Sequence, residues 1–477
     1  MNALGPSDLL RQQAGSTPDR VALVHGDQRL TFAELDARTT GAALALLGAG
    51  LQSGDRVALQ LRTGVEFVLL YLGVLRAGLV AVPVDPAYTA PETEQLLEDA
   101  DAALRLDESS AATFAGAASG ADPRCDRGGE HLAALLFTSG TSGRMKGAML
   151  SARALLANLD QLAAVEPPLL TADDVLFVPL PLTHIFGLNA GLGMALRVGA
   201  SLVLTEHFDP AASLAVMAAE GVTAVLGVPS EYAAWLAQPG LAEGFGSVRF
   251  AMSGSATLAR GVVDGFAAAG VTVHDGYGLT EAAPVVAINA QGAGREQPIN
   301  GAVGRPLPGV TVELRDADNA LVDDGDPGRL FVRGANLFSG YWPDGADGPD
   351  ADGWFGTGDI ALADAAGELH LVGRSTDTVI VNGFNVYPAE VEAVLAADAR
   401  VAEVAVVGVP DPATGEAVHA YVVPAPGAEI DPDELRAVAV RSLARFKLPR
   451  AIEVVPRLPH TVTGKIMKWQ LADDAAS

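Results

Sequence analysis

Short β-rich segments alternate with helical segments along most of this chain, and that alternation limits the fold more than any other feature. Residues 56–61 favour a strand, residues 65–77 a helix and residues 79–84 a second strand, and the same order recurs over residues 201–228. Strands that alternate with helices build α/β layers whose sheets are largely parallel. We therefore expect an α/β fold with a large, multi-layer N-terminal domain and mostly parallel sheets.

The pattern changes after about residue 300. Residues 309–315, 328–333 and 369–372 are short strands separated by turns, which predicts a small β subdomain. From Gly373 the chain shows a strand, a glycine-containing turn and a proline-led acidic helix start. The remaining hundred or so residues alternate strand and helix again, as in a small α+β domain.

With 477 residues the chain is too long for one ordinary core, so two or more domains are expected. We place an N-terminal ATP- and acyl-binding domain at residues 1–375 and a C-terminal domain at residues 376–477. The chain shows no signature of an oligomeric state.

Charge and cysteine content exclude several classes of protein. The formal net charge of −27 disfavours nucleic acid as a partner and also an electrostatic membrane dock. The lone Cys125 excludes an intrachain disulfide framework and a cysteine-rich metal site. Phe67–Val84 is the most apolar run, but it contains Arg76 and fits a buried helix followed by a buried strand better than a membrane span. Since the N-terminus also lacks the pattern of a signal peptide, we expect a cytoplasmic protein.

The first stretch with chemical potential is LLFTSGTSGRMKGAMLS, Leu135–Ser151. An apolar strand enters a loop of Gly, Ser and Thr, followed by Lys146 and then an expected helix. Glycines let backbone N–H groups approach a ligand, hydroxyls add donors, and lysine adds a point charge for phosphate. The P-loop NTPase motif is excluded because Gly147 follows Lys146, where that motif needs Ser or Thr. Taken alone, the stretch fits a flexible loop about as well as a phosphate loop.

The second stretch is HDGYGLTEAAP, which begins at His274. Tyr277 lies between glycines and can stack on a base, as aromatic side chains do on nucleobases. Thr280 and Glu281 follow within reach of a metal–phosphate group, and Mg²⁺ is commonly held by one or two carboxylates plus substrate phosphate. Taken alone, the stretch is more simply a turn at a strand end.

Two further stretches complete the set. DGWFGTGDIA places Asp359 in a Gly-rich turn, where a carboxylate can accept hydrogen bonds from vicinal ribose hydroxyls, and Arg374 follows soon after. PHTVTGKIMK places Lys465 after a Thr-Gly pair near the C-terminus. Taken alone, these are a turn aspartate and a solvated lysine.

Together and in this order, the four stretches resemble the adenylate-forming superfamily, in particular its acyl-CoA synthetases of the fatty-acid–CoA ligase type. The resemblance runs from about Ser16 to Lys468 and includes LTFAELDART, PLPLTHIFGL and ARFKLPR. It implies that a carboxylic acid and ATP form acyl-AMP and pyrophosphate, after which a thiol attacks the acyl-AMP. It also implies Mg²⁺ and, as acceptor, coenzyme A. The protein contributes mainly positioning and charge stabilisation.

The resemblance assigns roles to individual residues. Tyr277 would stack on adenine and Asp275 would meet its amino group, while Asp359 and Arg374 would hold the ribose. Lys465 would bridge the substrate carboxylate and the α-phosphate, and Thr280 would face that phosphate. The expected catalytic residues are Lys465, Thr280, Glu281 and His184, and the expected metal-binding residues are Thr138 and Glu281. The expected ATP- or AMP-binding residues are Thr138, Ser139, Gly140, Thr141, Ser142, Gly143, Lys146, Ser255, Ala256, Asp275, Gly276, Tyr277, Gly278, Thr280, Asp359, Arg374 and Lys465.

The resemblance further implies that the small C-terminal domain is mobile and rotates between the two steps. One face would bring in Lys465, and the other would bring Gly383 and Phe384 to line the coenzyme A tunnel with His184. The hinge would be Thr376, where the family usually has Asp or Lys. Ser255 is another departure, because Gly or Ala is common at its position.

The expected acyl pocket favours a medium- or long-chain fatty acid, with an aryl acid as the alternative, because its members are mostly small or apolar. An amino acid is disfavoured because HIFGLNAGL, from His184, carries no acid to pair with an ammonium group. A dicarboxylic acid of the malonate type would need a buried cation, and none is evident near residues 284–289. His184 is expected to shape and gate the pocket, with a general-base role as the lesser possibility. The pocket candidates are His184, Gly187, Val228, Ser230, Ser253 and Val285.

Two acceptors stay open, because coenzyme A and the pantetheine arm of an acyl carrier protein would use the same tunnel. The net acidity of the chain mildly disfavours an acidic carrier protein. A third reading, a catalytically silent nucleotide-binding protein, is opposed by the intact residues Lys146, Glu281, Asp359, Arg374 and Lys465.

Overall fold

The computed structural model describes residues 5–115, 121–123, 128–139, 145–256, 258–290, 302–375, 377–381, 384–411, 414–460, 466–468 and 470–472. The chain divides into two compact units. The first unit comprises Met1–Val312 and Val332–Phe355, and the second comprises Glu313–Phe331 and Gly356–Ser477. The domain boundary between residues 375 and 376 stays a prediction.

Helices and strands alternate along the first unit, as the sequence pattern predicts.

The helices and strands of both units are numbered in chain order. The α-helices are α1 (Pro6–Ser16), α2 (Phe32–Gly48), α3 (Val65–Arg76), α4 (Ala90–Asp99), α5 (Ala111–Phe114), α6 (Ala152–Ala163), α7 (Met194–Val198), α8 (Pro210–Glu220), α9 (Pro229–Leu236), α10 (Leu241–Gly244), α11 (Arg260–Ala268), α12 (Pro388–Ala396) and α13 (Pro432–Ser442). The strands are β1 (Val21–His25), β2 (Gln28–Thr31), β3 (Arg56–Gln60), β4 (Val80–Pro83), β5 (Ala102–Asp107), β6 (Leu132–Ser139), β7 (Met145–Ser151), β8 (Val175–Val178), β9 (Ser201–Leu204), β10 (Ala224–Gly227), β11 (Phe250–Ser253), β12 (Val273–Gly278), β13 (Val285–Ile288), β14 (Arg305–Pro306), β15 (Val310–Arg315), β16 (Gly328–Gly334), β17 (Phe355–Ala363), β18 (Leu369–Arg374), β19 (Val379–Val381), β20 (Phe384–Val386), β21 (Val401–Asp411), β22 (Gly415–Pro424) and β23 (Ala451–Val454).

Two sheets with mostly parallel strands form the first unit. One has the order β14-β13-β12-β11-β10-β8-β9-β1-β2, and the other has the order β5-β3-β4-β6-β7. Strands β1, β9, β8, β10, β11 and β12 pair in parallel, and antiparallel pairs lie at the two ends of that sheet. The carboxyl ends of parallel strands meet at one edge, which is where open α/β sheets place ligands. The predicted α/β class is confirmed.

The apolar run at residues 67–84 is a buried helix and a buried strand, as expected. It forms most of α3 and all of β4, and every residue of β4 is buried. The charge of Arg76 is balanced inside the unit, because its guanidinium donates to Asp36 Oδ1 at 2.6 Å and to Thr40 Oγ1 at 2.7 Å. Among the described residues, no helix is both long enough and apolar enough to cross a membrane.

Two local expectations are wrong. Lys146 is not followed directly by a helix: it lies in β7, which returns antiparallel to β6, and α6 begins only at Ala152. Ala148 and Leu150 lie two residues apart in β7 and are both fully buried, as expected for one face of a strand. Asp359 lies within β17 and not in a turn, because its neighbours pair across to β18.

An aromatic cluster holds α9 against the main sheet. Trp235 is fully buried and makes edge-to-face contacts with Phe208, Tyr232 and Phe245, at ring-centroid distances of 5.3, 5.3 and 5.5 Å. Its indole N–H donates to Ser213 Oγ at 2.7 Å. Truncating such a side chain costs about 3–5 kcal/mol. The cluster therefore fixes where α9 begins, directly after β10.

The second unit combines the predicted β subdomain with the predicted α+β region. One sheet has the order β15-β16-β17-β18, and β17 pairs antiparallel with β18. The other has the order β20-β19-β22-β21, with β23 alongside β22. Val391 and Leu395 of α12 and Leu435 and Ala439 of α13 form the core of this unit together with the inward face of the second sheet.

Candidate active site

The hairpin of β6 and β7 brings two predicted phosphate-binding residues face to face. Thr138 and Lys146 are direct partners across the hairpin, and Thr138 Oγ1 donates to the Lys146 carbonyl at 3.4 Å. The loop between them would then be closed at its base by this pair. Its members Gly140, Thr141, Ser142 and Gly143 lie outside the described residues.

The Lys146 side chain contacts two residues that no sequence motif indicated. Its ammonium lies 2.9 Å from Asp347 Oδ2 and 5.0 Å from the centre of the Tyr341 ring. About 44% of the Lys146 side chain and 69% of the Asp347 side chain are exposed. Exposed ion pairs contribute about 0–1 kcal/mol, so an incoming phosphate can replace Asp347 at low cost.

Glu281 lies in a short 3₁₀ helix, Thr280–Ala282, that follows β12. The Glu281 side chain is buried, and its Oε1 accepts a hydrogen bond from the Tyr341 hydroxyl at 2.6 Å. The backbone is held as well, because Phe338 N–H donates to the Glu281 carbonyl at 2.8 Å and Asn336 Nδ2 to the Ala282 carbonyl at 2.8 Å. A carboxylate that accepts this hydrogen bond through one oxygen has a second oxygen that can bind Mg²⁺.

Neighbouring parallel strands place polar groups side by side at their carboxyl ends. Gly227 of β10 pairs with Ser253 of β11, and Ser253 pairs with Asp275 of β12. Ser253 is fully buried and Asp275 is 6% exposed. Within the described part of the chain, Ser253 Oγ and Asp275 Oδ1 have no hydrogen-bond partner. Since buried polar atoms are normally paired, this edge is suited to a ligand that supplies hydrogen-bond donors.

The surroundings of Asp275 perturb its carboxyl group. Burial raises the pKa of Asp275 to about 7, and a hydrogen bond from the Leu258 backbone N–H lowers it in part. The Asp275 N–H donates to Asn289 Oδ1 at 2.9 Å, and the Asn289 N–H donates to the Asp275 carbonyl at 3.0 Å, so the backbone is held on both sides. An exocyclic amino group, such as that of adenine, fits the unpartnered Oδ1.

Two glycines flank Tyr277 and permit close packing there. A Cβ at Gly276 would lie 2.2 Å from Met252 Cε, and a Cβ at Gly278 would lie 2.3 Å from the Pro284 carbonyl oxygen. Tyr277 itself is buried, at 7% exposure. The end of β12, which carries Tyr277, is therefore held against β13.

Ser255 and Ala256 follow β11 and are exposed. Ser255 has a φ of 71°, in the left-handed region that favours glycine. The residue that the resemblance marked as unusual is therefore also strained by its backbone.

His184 precedes a π-helix that spans Phe186–Gly193. Its Nδ1 accepts from the Phe186 N–H at 3.3 Å, and burial lowers the pKa of His184. A neutral ring whose Nδ1 accepts carries its proton on Nε2, so this imidazole is a donor and not a ready base. The expected shaping role fits this arrangement better than general-base catalysis.

The other acyl-pocket candidates occupy three elements of the first unit. Val228 is the N-cap of α9 and Ser230 is exposed in its first turn. Gly187 is the second residue of the π-helix, where a Cβ would lie 2.8 Å from the Pro181 carbonyl oxygen. Val285 is buried in β13 and is fixed by two hydrogen bonds with the Asn158 side chain, at 2.7 and 3.1 Å.

Sequence reasoning missed Glu231, a buried carboxyl group next to these candidates. Its Oε2 accepts from the Val228 N–H at 2.9 Å, and burial raises its pKa to about 7. The spacing of a carboxylate three residues after the helix start is a capping signal that the sequence contained. Tyr341 and Asp347 left no such local signal.

In the second unit, the predicted ribose-binding pair is brought together. Asp359 and Arg374 are direct partners across β17 and β18, and Arg374 Nε lies 2.9 Å from Asp359 Oδ1. Asp359 is 8% exposed, and its N–H donates to Thr357 Oγ1 at 3.1 Å. A carboxylate oriented by a guanidinium can accept two hydroxyl hydrogen bonds at once.

Phe384 is the described member of the predicted coenzyme A loop. It begins β20, is 56% exposed and stacks on Phe446 at a centroid distance of 4.7 Å. Phe446 also lines a cavity of about 430 Å³ with Arg436, Arg445 and Arg450. Gly383, Lys465 and Thr376, the predicted hinge, lie outside the described residues.

Comparison with known proteins gives a consistent result across most of the chain. Residues 10–342 match the family model described as AMP-binding enzyme, and residues 390–465 match the AMP-binding enzyme C-terminal domain. A long-chain-fatty-acid–CoA ligase from Yersinia pestis is 33% identical, with 96% of this chain and 92% of the relative covered. A feruloyl-CoA synthase from an Amycolatopsis species is 35% identical, with 96% and 97% covered. The crystal structure of ATP-bound MatB from Rhodopseudomonas palustris has a TM-score of 0.91 at 36% identity, with 98% of each chain covered.

Proposed function

The chain belongs to the AMP-binding enzyme family, and from this premise we propose that it activates a medium- or long-chain fatty acid. The enzyme is an AMP-forming acid–thiol ligase that uses ATP and coenzyme A. It converts the acid to acyl-AMP with release of pyrophosphate, and the acyl group then passes to the thiol.

One observation supports the adenylation step: the cation predicted to bind phosphate and the carboxylate predicted to bind metal meet at one side chain. Lys146 lies over the face of Tyr341, and Glu281 accepts from the hydroxyl of the same tyrosine. Lys146 would bind the β- and γ-phosphates, and Glu281, with Thr138, would bind Mg²⁺. When bound, Mg²⁺ would offset the negative charge of the phosphates. The chain's own residues hold the triphosphate so that the α-phosphorus stays open to the carboxylate.

The base and ribose have their own partners. Asp275 Oδ1, which no described residue engages, suits the adenine amino group, and the Asp359–Arg374 pair suits the ribose hydroxyls. Thr280 begins the 3₁₀ helix beside Glu281 and would bind the α-phosphate. These assignments give most of the nucleotide a partner of matching chemistry.

The apolar character of the pocket candidates supports a fatty acid. Val285 is buried, Val228 is partly buried, and the glycine at position 187 adds no side chain. The neutral ring of His184 adds no charge beside the chain. Burying one methylene group contributes about 0.8 kcal/mol, so an aliphatic tail gains affinity with each carbon that fits.

An aryl acid is the second candidate, and Ser253 is the observation in its favour. The buried Ser253 hydroxyl has no partner among the described residues, so it can bind a polar substituent that a fatty acid lacks. The feruloyl-CoA synthase relative is as similar to this chain as the fatty-acid relative is.

Charge in the second unit supports coenzyme A over a carrier protein. Arg436, Arg445 and Arg450 line the cavity beside Phe446, which stacks on Phe384. Coenzyme A carries a nucleotide with three phosphate groups, whereas the arm of a carrier protein carries one phosphodiester. Arg450 is already paired with Asp411, so the guanidinium groups of Arg436 and Arg445 would match the phosphates of the first ligand.

The alternation of conformations is part of the proposal. Thr376 would act as the hinge, Lys465 would serve adenylation, and Gly383 with Phe384 would serve thioester formation. The cytoplasm, where ATP and coenzyme A are both present, is the proposed location.

Pyrophosphate release over a panel of acids tests the proposal. The panel should contain saturated fatty acids of increasing length, hydroxylated aryl acids and amino acids, each with and without coenzyme A. We expect release to rise with aliphatic length, and thioester to form only when coenzyme A is present. Activity confined to aryl acids would favour the second candidate, and activity confined to amino acids would refute the substrate assignment.

Two variants of the first unit sharpen this test. Lys146→Ala should lower pyrophosphate release strongly, whereas Arg197→Ala, which removes an exposed cation paired with Asp160 at 2.8 Å, should not. Equal loss in both variants would refute the phosphate-binding role of Lys146. Thioester that forms only with a carrier protein would refute the acceptor.

A further inference from the structure

Tyr341 connects the two groups on which adenylation depends. Its hydroxyl donates to Glu281 Oε1 at 2.6 Å, and the centre of its ring lies 5.0 Å from Lys146 Nζ. Glu281 is 60 residues away in sequence, and Lys146 belongs to a different sheet from β12, which precedes Glu281. One side chain therefore fixes the distance between a cation and a carboxylate that come from separate parts of the first unit.

The backbone around Tyr341 is attached to the strand that carries Lys146. The Trp342 N–H donates to the Gly147 carbonyl at 2.8 Å, and the Met149 N–H donates to the Gly340 carbonyl at 3.1 Å. Tyr341 also forms an antiparallel bridge with Ala148. Its position relative to Lys146 is thus set by main-chain hydrogen bonds and does not depend on the ring alone.

The ring of Tyr341 is itself held in place. Phe338 contacts it edge-to-face at a centroid distance of 5.0 Å. Gly340 has a φ of 92°, and a Cβ there would lie 2.1 Å from the Gly345 carbonyl oxygen, so the chain must turn closely at this point. Main-chain hydrogen bonds between Tyr341 and residues 345 and 346 close the turn at 2.8 and 2.9 Å. A ring locked in this way can orient what it contacts.

We propose that Tyr341 is a positioning residue: its hydroxyl holds Glu281 with one oxygen free for Mg²⁺, while its ring holds Lys146 for the phosphates. This inference rests on the proposed function. A hydrogen bond to a carboxylate is charge-assisted and directional, so it selects one orientation of the Glu281 side chain. The ring face attracts an ammonium group without neutralising it, unlike an acid. The ammonium group of Lys146 is therefore available to phosphate once it leaves Asp347.

The two functions of the side chain can be separated by substitution. Tyr341→Phe removes the hydroxyl but keeps the ring, so the orientation of Glu281 should be lost while the contact between the ring and Lys146 remains. Tyr341→Leu removes both. Tyr421→Phe is the matched control, because the Tyr421 hydroxyl donates to a backbone carbonyl, that of Leu471 at 3.2 Å, in the second unit.

The experiment is calorimetric binding of ATP, without acid or coenzyme A, over a series of Mg²⁺ concentrations and in EDTA. For Tyr341→Phe we expect an ATP affinity in EDTA within twofold of that of the parent. The Mg²⁺ concentration that gives half of the maximal increase in ATP affinity should be five- to tenfold higher than in the parent. Tyr341→Leu should also weaken the binding in EDTA by at least threefold. Tyr421→Phe should match the parent in both conditions.

A double-variant cycle with Glu281→Gln tests whether Tyr341 acts through Glu281. In the Glu281→Gln background, Tyr341→Phe should shift the Mg²⁺ dependence by less than twofold. An unshifted Mg²⁺ dependence in the single variant, or an undiminished shift in the double variant, would overturn the proposal. If the parent enzyme binds no ATP at any Mg²⁺ concentration, the proposed function is refuted. If the parent binds ATP and Tyr341→Phe binds it with the same Mg²⁺ dependence, only the role of Tyr341 is refuted.

Discussion

The buried carboxyl of Asp275 predicts an unusual gain of stability on mutation. Its Oδ1 has no partner among the described residues, and burial raises its pKa from an ordinary value of 3.8 to about 7. Above pH 7 the folded protein without nucleotide therefore holds an ionised carboxylate that burial disfavours. Asp275→Asn keeps the shape and the carbonyl acceptor but cannot ionise.

The sign and size of the effect follow from the pKa difference between the folded and unfolded states. A carboxyl group whose pKa is higher in the folded state contributes stability that is fully present below pH 3.8 and is lost as the pH rises to about 7. Each pKa unit corresponds to about 1.4 kcal/mol, so the rise at Asp275 corresponds to about 4 kcal/mol. Because the variant lacks this loss, its free energy of unfolding relative to the parent should be about 4 kcal/mol higher at pH 8 than at pH 4.

Urea denaturation of the nucleotide-free parent and variant at pH 4, 6 and 8 measures this difference. Glu231, whose pKa burial also raises to about 7, is present in both proteins and cancels in the comparison. Asp264→Asn is the control, because it removes the same charge from a side chain that is 66% exposed. A difference between Asp275→Asn and the parent that stays constant from pH 4 to pH 8 would refute the assignment of a raised pKa to Asp275.

Four further outcomes test other residues. Asp359→Ala should raise the KM for ATP by about 10- to 100-fold, since each lost hydrogen bond to a charged group costs about 1.5 kcal/mol or more, and a KM within twofold of the parent would contradict the ribose assignment. Lys465→Ala should nearly abolish adenylate formation but largely spare thioester formation from supplied acyl-AMP; equal loss in the two half-reactions would argue against two conformations. Thr376→Pro should block one half-reaction selectively in single-turnover assays, and unchanged overall turnover would place the hinge elsewhere. Ser255→Gly should raise the free energy of unfolding by about 1 kcal/mol, because glycine adopts a φ of 71° without strain, and urea denaturation that shows no gain would mean that Ser255 is not strained.

Local patterns in the sequence predict the elements of this fold closely. The strand expected at residues 56–61 is β3 at Arg56–Gln60, and the helix expected at residues 65–77 is α3 at Val65–Arg76. Such predictions succeed because the direction of each side chain follows from the local backbone, so burial of one face leaves a period in the sequence. The helix expected directly after Lys146 is wrong because β6 offers β7 a partner strand, and a short apolar run does not reveal that alternative by itself.

The residues of the candidate site also differ in whether the sequence could predict them. Motif order along the chain is enough to single out Lys146, Glu281, Asp359 and Arg374, and the last two meet because they lie on adjacent antiparallel strands. Glu231 also left a trace, as a carboxylate at capping distance from the start of α9.

Only the tertiary structure assigns roles to Tyr341 and Asp347. Asp347 meets Lys146 across 201 positions of sequence, and Tyr341 meets Glu281 across 60. The Ser253 and Asp275 side-chain atoms that have no partner among the described residues likewise become visible only when β11 and β12 lie side by side. The sequence alone determined the class of fold, the family and the stretches predicted to bind the nucleotide, because these depend on local pattern and motif order. The contacts that orient Lys146 and Glu281 were decided by the packing of separate strands, which no local pattern records.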